Sequence, residues 1–530
     1  MVSISLRKSL GAFYTERNAA DRLVAWTVSG GSESVLDPSC GDGVFIEAAD
    51  FRLRGLGCGA PTIYGVDVSD EALSTVRERV ESAKLVRADF FSLIPNDLPR
   101  FDCVVGNPPF IRYQTFNGDK KSLGHQRARE AGIRLPRLAS SWAPFVVHAS
   151  RFLRRGGRLG MVMPAELGHA MYAREVLRFL SENFRHVAIE MFRDKMFQHL
   201  SQSTVLLFCD GFGERSRTFV VAASDDLQGN DRQLSKVDID LIRGGEFRFN
   251  HYLIPTGVRS LYESLAADPR VERLGDVADV GIGYVTGSND FFHLSAKEAG
   301  DWELPKRFLR PCLMSLRGFK GIEFHRQNWK TKRSEGEKVY LLSLPSIPVE
   351  ELPPTVRAYL RQGELKNVPL RYKCRIRQFW HSVPHVRTAD AFLSYMSGEQ
   401  PVLVSNAANL VAPNTLHVLR FGAKRNPLLY AASWRTSLSM LSCELEGHAL
   451  GGGLFKLEPS EAKDVLVVRP RGPIFKKLAV QFASNPPMSP EQLSDIADRF
   501  VLRRVLGLSQ NECLLLRDSA GKIESWRKHN

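Results

Sequence analysis

Four short apolar segments within residues 33–110 limit the fold most, because each runs into a turn of small or polar residues. The first segment ends at Val35 and Leu36, the turn "DPSCGDG" spans residues 37–43, and "VFIEAADFRLR" then has helical periodicity. A buried strand, a glycine turn and a helix form the opening unit of a doubly wound α/β sheet. The sequence therefore predicts a parallel sheet that binds its ligand at the carboxyl ends of its strands.

The ends of the first three predicted strands carry residues suited to a nucleoside. Gly41 and Gly43 let the backbone approach a ligand closely, and the helix beyond them offers free N–H groups. Asp67 ends the second strand, where an acid commonly accepts hydrogen bonds from ribose hydroxyls. After the third strand, Asp89 can accept from an adenine amino group while the Phe90 ring packs beside the base.

The fourth predicted strand, "FDCVVG", runs directly into Asn107, Pro108, Pro109 and Phe110. Two adjacent prolines fix two φ angles and supply no backbone N–H, so the strand cannot continue. The sequence thus predicts a rigid loop that carries one amide side chain and one aromatic ring.

In this order, "DPSCGDG", "GVDVS", "RADFF" and "GNPPF" resemble the motifs of class I S-adenosylmethionine-dependent methyltransferases. The Asn-Pro-Pro-Phe form and the upstream "GAFYTE", residues 11–16, are similar to the gamma-class DNA adenine-N6 methyltransferases of type II restriction–modification systems. Together these motifs cover residues 11 to about 210. A dinucleotide-dependent dehydrogenase is disfavoured, because "DPSCGDG" departs from GxGxxG and such an enzyme has no use for Asn-Pro-Pro-Phe.

The resemblance implies an α/β fold: a Rossmann-like class I methyltransferase domain followed by a mixed α+β DNA target-recognition domain. We expect the catalytic domain at residues 1–245 and the recognition domain, with a C-terminal helical region, at residues 246–530. S-adenosyl-L-methionine is the implied cofactor, with Tyr14 and Thr15 at its methionine end and Asp37 at its amino group. The full expected cofactor set is Tyr14, Thr15, Asp37, Gly41, Gly43, Asp67, Asp89 and Phe90.

The predicted loop suits methylation of an exocyclic amino group, whose nitrogen is a poor nucleophile because its lone pair is delocalised. The side-chain oxygen of Asn107 and the carbonyl of Pro108 would accept its two N–H groups and localise that lone pair. Proline rigidity, including that of Pro109, preorganises these acceptors, and the nitrogen attacks the sulfonium methyl in line. The base must leave the duplex to reach the loop, where Phe110 and Phe197 are expected to stack on it.

The second half of the chain carries features of a nucleic-acid binder. Over the whole chain, Lys+Arg 72 against Asp+Glu 58 gives a net charge of +14, the electrostatic footprint of a polyanion binder. In residues 371–387, "RYKCRIRQFWHSVPHVR", a strand would place alternate cations on one face, beside a ring that can stack. The predicted DNA-binding residues are Arg371, Lys373, Arg375, Arg377 and Trp380.

Two further segments give local predictions. "NGDKKSLGHQRARE", residues 117–130, indicates a polar loop, either a flap over the cofactor or a solvated surface. Ser489, Pro490 and Gln492 indicate a capping-box start to a final helix.

These patterns predict a site-specific DNA methyltransferase that transfers a methyl group to the N6 amino group of a flipped adenine in duplex DNA. The alternatives are an RNA or protein-glutamine methyltransferase and a non-catalytic DNA-binding subunit; a basic C-terminal region of nearly 300 residues favours DNA. Double-stranded DNA is the expected partner, and a separately encoded cognate restriction endonuclease is a further candidate.

The resemblance implies a bacterial or archaeal cytoplasmic protein that associates with the nucleoid through DNA, and the composition is consistent with a cytoplasmic protein. No stretch approaches the roughly 20 apolar residues of a membrane span, and the start lacks a secretory apolar core. Eight scattered cysteines without a CxxC pair suit a reducing compartment and argue against a metal site.

Overall fold

The computed structural model describes residues 15–112, 114–192, 204–224, 233–450, 453–484 and 488–529. The chain forms two compact units: Met1–Arg259 with Leu450–Gly453 and Ser525–Asn530, and Ser260–Ala449 with Leu454–Glu524. The division into domains after residue 245 stays a prediction. Tyr14 and Phe197, both predicted site residues, lie outside the described residues.

The first unit contains a nine-stranded sheet. Its strands are β1 (Val35–Asp37), β2 (Ile63–Asp67), β3 (Lys84–Arg87), β4 (Phe101–Gly106), β5 (Leu153–Pro164), β6 (Phe184–Phe192), β7 (Thr204–Phe212), β8 (Thr218–Ser224) and β9 (Gln233–Val237). Their order is β3-β2-β1-β4-β5-β7-β6-β8-β9, and β1 to β5 pair in parallel. β7 lies antiparallel between β5 and β6. The four predicted strands are confirmed, and their carboxyl ends meet at one edge of the sheet.

Helices cover this sheet and bury its apolar strands. They are α1 (Arg17–Thr27), α2 (Val44–Gly55), α3 (Asp70–Arg79), α4 (Gly118–Glu130), α5 (Trp142–Ser150), α6 (Ala173–Asn183) and α7 (Ile239–Gly244), and α8 (Thr256–Ala266) follows. In α1 the buried side chains recur at helical spacing, so one face meets the core. Ser69 caps α3 by accepting from Ala72 N at 3.2 Å.

The prediction of a loop at residues 117–130 is wrong, because Gly118–Glu130 form α4. This helix has few apolar side chains, and the residues it buries are Gly124, Arg127 and Ala128. Arg127 donates from Nε to the carbonyl of Phe91 at 2.9 Å and pairs with Glu130 at 3.1 Å. A buried, fully bonded arginine therefore anchors a segment whose polarity suggested a solvated loop.

The second half of the chain is mixed α+β, as predicted. Its strands are β10 (Val271–Arg273), β11 (Ala278–Ile282), β12 (His293–Leu294), β13 (Leu309–Pro311), β14 (Tyr340–Leu342), β15 (Ala391–Leu393), β16 (Met396–Ser397), β17 (Leu403–Ser405), β18 (His417–Phe421), β19 (His448–Leu450), β20 (Leu454–Lys456) and β21 (Leu466–Val468). They form small sheets in the orders β11-β18-β15-β17, β12-β14-β13, β16-β20-β19 and β10-β21.

Short helices surround these sheets, and longer ones follow toward the C-terminus. They are α9 (Leu274–Val277), α10 (Asn289–Phe292), α11 (Ala296–Asp301), α12 (Arg326–Ser334), α13 (Pro354–Leu365), α14 (Tyr372–Arg375), α15 (Pro427–Ser433), α16 (Ser437–Glu446), α17 (Pro459–Asp464), α18 (Pro473–Ser484), α19 (Pro490–Ala497) and α20 (Gln510–His529). Asp498–Leu506 adopt a π-helix. Within the described ranges, no helix combines the length and apolar character of a membrane span.

Two predictions about the second half have different outcomes. The capping box is confirmed, since Ser489 Oγ accepts from Gln492 N and the Gln492 side chain accepts from Ser489 N. It opens α19, however, and α20 follows, so it does not start the final helix. The strand predicted from residue 371 is wrong, because Tyr372–Arg375 form α14 with Cys374 buried.

Candidate active site

A cavity of about 320 Å³ lies at the carboxyl ends of β1 to β4. Residues from all four strand ends line it, together with Thr15 from the segment before α1. The predicted site residues that line it are Thr15, Gly41, Asp67, Asp89, Phe90, Asn107 and Pro109. The structure thus brings four predicted nucleoside-binding residues and two residues of the Asn-Pro-Pro loop to one cavity, whereas Gly43 is not among the residues that line it.

The glycine turn between β1 and α2 is shaped by its neighbours. Gly43 precedes α2 with φ 89°, and a Cβ atom there would lie 2.7 Å from Val76 Cγ2. Gly41 N donates to Asp67 Oδ2 at 3.0 Å, and Ser69 N donates to Asp67 Oδ1 at 2.9 Å. Each carboxylate oxygen has a further lone pair, so Asp67 ties two strand ends together and can still accept from ligand hydroxyls.

Asp89 and Phe90 close the third strand end. Asp89 Oδ1 accepts from Phe91 N at 3.0 Å, and Lys120 Nζ of α4 lies 3.8 Å from Asp89 Oδ2. Phe90 is 4% exposed, and its ring packs against Phe145, with centroids 5.0 Å apart. A carboxylate acceptor and an aromatic ring therefore both line the cavity at this strand end.

Asp37 is fully buried and is not among the cavity-lining residues. Its Oδ1 accepts from Ser39 N at 3.1 Å, and Oδ2 has no hydrogen-bond partner in the described part of the chain. Burial raises the pKa of Asp37 to about 8, and the negative charge of Asp67 acts in the same direction. A Cβ atom on Gly106 would lie 2.9 Å from Asp37 Oδ1, so glycine is needed for this approach.

The Asn107 side chain is held at the cavity by the segment before α1. Its Nδ2 donates to Thr15 Oγ1 at 3.2 Å. The backbone carbonyl of Asn107 accepts from Ser39 Oγ at 3.1 Å, which ties the loop to the glycine turn. The first residue of the loop is thus held through both its side chain and its main chain.

Ser141 holds the other end of the loop. Its hydroxyl donates to the Pro109 carbonyl and accepts from Ile111 N at 2.9 Å. Ser141 N also donates to the Ile111 carbonyl at 3.1 Å. No described residue donates to the Pro108 carbonyl. The carbonyls on either side of Pro108 are therefore engaged, whereas that of Pro108 has no donor among the described residues.

Ser141 is supported by hydrogen bonds around the neighbouring side chain. Trp142 Nε1 donates to Glu166 Oε2 at 3.2 Å and lies 3.0 Å from the Tyr172 hydroxyl. That hydroxyl donates to Glu166 Oε2 at 2.6 Å.

Sequence reasoning missed both Ser39 and Ser141. A serine before an apolar helix signals an N-cap, but nothing in the sequence pairs Ser141 with a loop 32 positions away.

Phe110 and Pro108 do not line the cavity. Phe110 is 6% exposed and packs within the apolar core of the first unit. Its predicted role as a ring that stacks on the target base stays a prediction.

The predicted DNA-binding residues of the second unit differ in their surroundings. Arg371 donates to Ser288 Oγ at 2.8 Å, and Arg377 donates to the carbonyls of Val285 and Thr286. Trp380 packs on the Phe291 ring at 5.7 Å. The exposed cations of the set are Arg371, Lys373 and Arg375.

The sheet order and the strand-end site define the fold as that of the class I S-adenosylmethionine-dependent methyltransferases. Residues 70–197 match the family described as Eco57I restriction-modification methylase. Residues 246–502 match the C-terminal domain of the type II methyltransferase M.Eco57I. Both descriptions concern the same methylase, and together they cover most of the chain. The chain therefore belongs to the type II restriction–modification methyltransferases.

Two relatives matched over most of their length agree with this family, and a solved structure agrees with the fold. The type II methyltransferase M.AccI of Acinetobacter calcoaceticus is 20% identical over 473 residues, which are 87% of this chain and 85% of the relative. M.XamI of Xanthomonas campestris pv. amaranthicola is 25% identical over 467 residues, 85% and 84% of the two chains. The type IIL restriction-modification enzyme MmeI, solved in complex with DNA, has 12% identity and a TM-score of 0.61 over 98% of this chain and 80% of its own.

Proposed function

We propose that the protein is a DNA adenine-N6 methyltransferase that uses S-adenosyl-L-methionine. The observation that carries this proposal is the position of Asn107 on the same cavity as Asp67, Asp89 and Phe90. A methyl donor bound to the first three strand ends would therefore lie beside the loop that holds the acceptor nitrogen.

The residues that line the cavity support the proposed cofactor through their chemistry. Asp67 would accept from the ribose hydroxyls, Asp89 from the adenine amino group, and Phe90 would pack beside the adenine ring. Gly41 allows the backbone to come close. S-adenosyl-L-methionine would supply a methyl group activated by its sulfonium centre.

The target amino group would be held by two acceptors, the Asn107 side-chain oxygen and the Pro108 carbonyl. Because Ser39 and Ser141 engage the carbonyls of Asn107 and Pro109, the loop conformation exists before the base arrives. Acceptors facing both N–H groups localise the nitrogen lone pair toward the methyl group. The new N–C bond forms as the methyl group leaves sulfur with its bonding pair remaining there, and the nitrogen then loses one proton.

Two observations support DNA as the substrate class. The whole chain has a net charge of +14, which suits a polyanion. Residues 246–502 match the M.Eco57I C-terminal domain. An adenine in a duplex must be turned out of the stack to reach the cavity. Phe110 and Phe197 are the rings that we propose to stack on it, and Phe110, which is 6% exposed, would have to turn toward the base. A cognate endonuclease, encoded separately in the same cytoplasm, is the further partner that we propose.

The test is methyl transfer from labelled S-adenosyl-L-methionine to duplex DNA, RNA and a glutamine-containing peptide in parallel. Digested nucleosides are resolved by mass spectrometry. We expect N6-methyladenine from DNA alone. Label in cytosine, in RNA or in the peptide would contradict the proposed substrate.

A further inference from the structure

Four large apolar side chains lie exposed within a short stretch of the second unit. Leu365 is 76% exposed, Leu370 68%, Tyr372 64% and Ile376 59%. They run from the end of α13 through α14, and we refer to residues 365–376 as the apolar–basic patch. An apolar cluster that a fold leaves in water marks a binding surface more often than a single exposed leucine does.

The patch and the last turn of α13 before it are strongly cationic. Together, residues 361–376 contain five cations, four of them within the patch, and one acid, Glu364. All five cations are exposed: Arg361, Lys366, Arg371, Lys373 and Arg375. Lys373 Nζ lies 5.6 Å from the centroid of the Tyr372 ring. The apolar side chains are therefore interleaved with positive charge that is scarcely neutralised within the segment.

The backbone beneath the patch is held firmly. Val368 and Cys374 are buried, and Arg377 donates to the backbone carbonyls of Val285 and Thr286, in the loop before α10. Gly363 of α13 abuts Phe291 so closely that a Cβ atom would lie 2.6 Å from Phe291 Cζ. Since the interior below is already filled, the exposed apolar side chains cannot turn inward.

We propose that the apolar–basic patch is a DNA-contact surface on which Leu370, Tyr372 and Ile376 pack against bases while the flanking cations bind phosphates. This proposal rests on the proposed function, because it takes duplex DNA as the ligand. The excess of cations selects a polyanion, and apolar side chains set between cations suit the groove of a duplex, where they can wedge between base steps while the cations bind the flanking phosphates. It also reassigns the stacking role, because Trp380 packs on Phe291 whereas Tyr372 is exposed.

The test separates apolar contacts from phosphate contacts by their salt dependence. Binding of fluorescent duplex DNA is measured over a series of KCl concentrations for wild type, Leu370→Ala/Ile376→Ala, Tyr372→Ala and Lys373→Ala. The matched control is Leu515→Ala, a leucine of α20 that is 49% exposed and has Glu512 and Asp518 nearby in the sequence. Methyl transfer to DNA, the thermal midpoint and the oligomeric state are recorded for each protein.

We expect the double variant and Tyr372→Ala to bind DNA about tenfold more weakly with an unchanged salt slope. Lys373→Ala should weaken the salt dependence, so that the slope of log K against log salt becomes less negative by about 0.9. If wild type and the double variant bind and methylate DNA equally, the patch proposal is wrong and the proposed function stands. A double variant that changes only the oligomeric state would identify an interface between copies instead. A wild type that neither binds nor methylates DNA would overturn the proposed function, and the patch proposal with it.

Discussion

Ser141 holds the end of the Asn-Pro-Pro loop that lies opposite Asn107. Its hydroxyl is the common partner of the Pro109 carbonyl and the Ile111 amide, so its loss leaves two loop groups without a partner. A displacement of about 1 Å at reacting groups can cost about a hundredfold in rate. We therefore assign Ser141 as a positioning residue rather than a catalytic one.

Ser141→Ala should lower kcat by about 10- to 100-fold while changing the Kd of S-adenosyl-L-methionine by less than about twofold. Ser150→Ala is the matched control. It removes a fully buried serine of the same helix, whose hydroxyl bonds the Val146 carbonyl at 2.8 Å. The rate constant of methyl transfer is also measured under single-turnover conditions. Equal rate constants for the two variants would show that the Ser141 bonds do not position the loop.

Asp37 gives a pH dependence of stability with a definite sign. Burial raises its pKa from an ordinary 3.8 to about 8, so the folded protein binds more protons than the unfolded chain between these values. This contribution to stability is present at low pH and is lost as the pH rises through that window, by at most about 1.4 kcal/mol per pH unit.

Asp37→Asn cannot titrate, so its stability should fall less than that of wild type between about pH 5 and about pH 7. Denaturant unfolding of both cofactor-free proteins across this range measures the difference. Parallel pH profiles would mean that Asp37 is ionised in the folded protein.

Among the elements, α4 connects the cofactor site to the helical layer. Arg127 bonds the Phe91 carbonyl and so holds the turn that carries Asp89 and Phe90. Lysine has no guanidinium fork and cannot keep this bond together with the Glu130 pair. Arg127→Lys should therefore weaken binding of S-adenosyl-L-methionine several-fold.

Arg129→Lys is the control for this prediction, because Arg129 lies on the exposed side of the same helix. Calorimetric titration of the cofactor compares the two variants. If they bind it equally tightly, α4 does not support the adenine-binding turn.

Sequence patterns predicted the elements whose signals are local. A glycine turn, a strand-terminal acid and a double proline each determine backbone conformation within a few residues, and β1 to β4 followed accordingly. α4 and α14 were missed because their buried residues include Arg127 and Cys374, whose partners lie far away in the chain. From the sequence alone, the alternating cations at 371–377 fit a strand as well as a helix. The contacts of Arg377 with the carbonyls of Val285 and Thr286 are visible only in the folded structure.

The same distinction applies to the candidate site. Asn107, Asp67, Asp89 and Phe90 were accessible from the sequence because each stands at a strand end with a known chemical use. Ser39 and Ser141 were not, because their roles depend on contacts between segments that only the folded sheet brings together.

The whole molecule combines a methyltransferase fold with a basic second half. We propose that the cavity lined by Asn107 is where DNA is methylated. Fold and family alone do not establish this chemistry.

The most direct measurement is the yield of N6-methyladenine in duplex DNA for wild type and Asn107→Ala, with cofactor binding measured on both. We expect product from wild type, a loss of at least about a hundredfold in Asn107→Ala, and similar binding of S-adenosyl-L-methionine. Methylation that survives in Asn107→Ala would contradict the account.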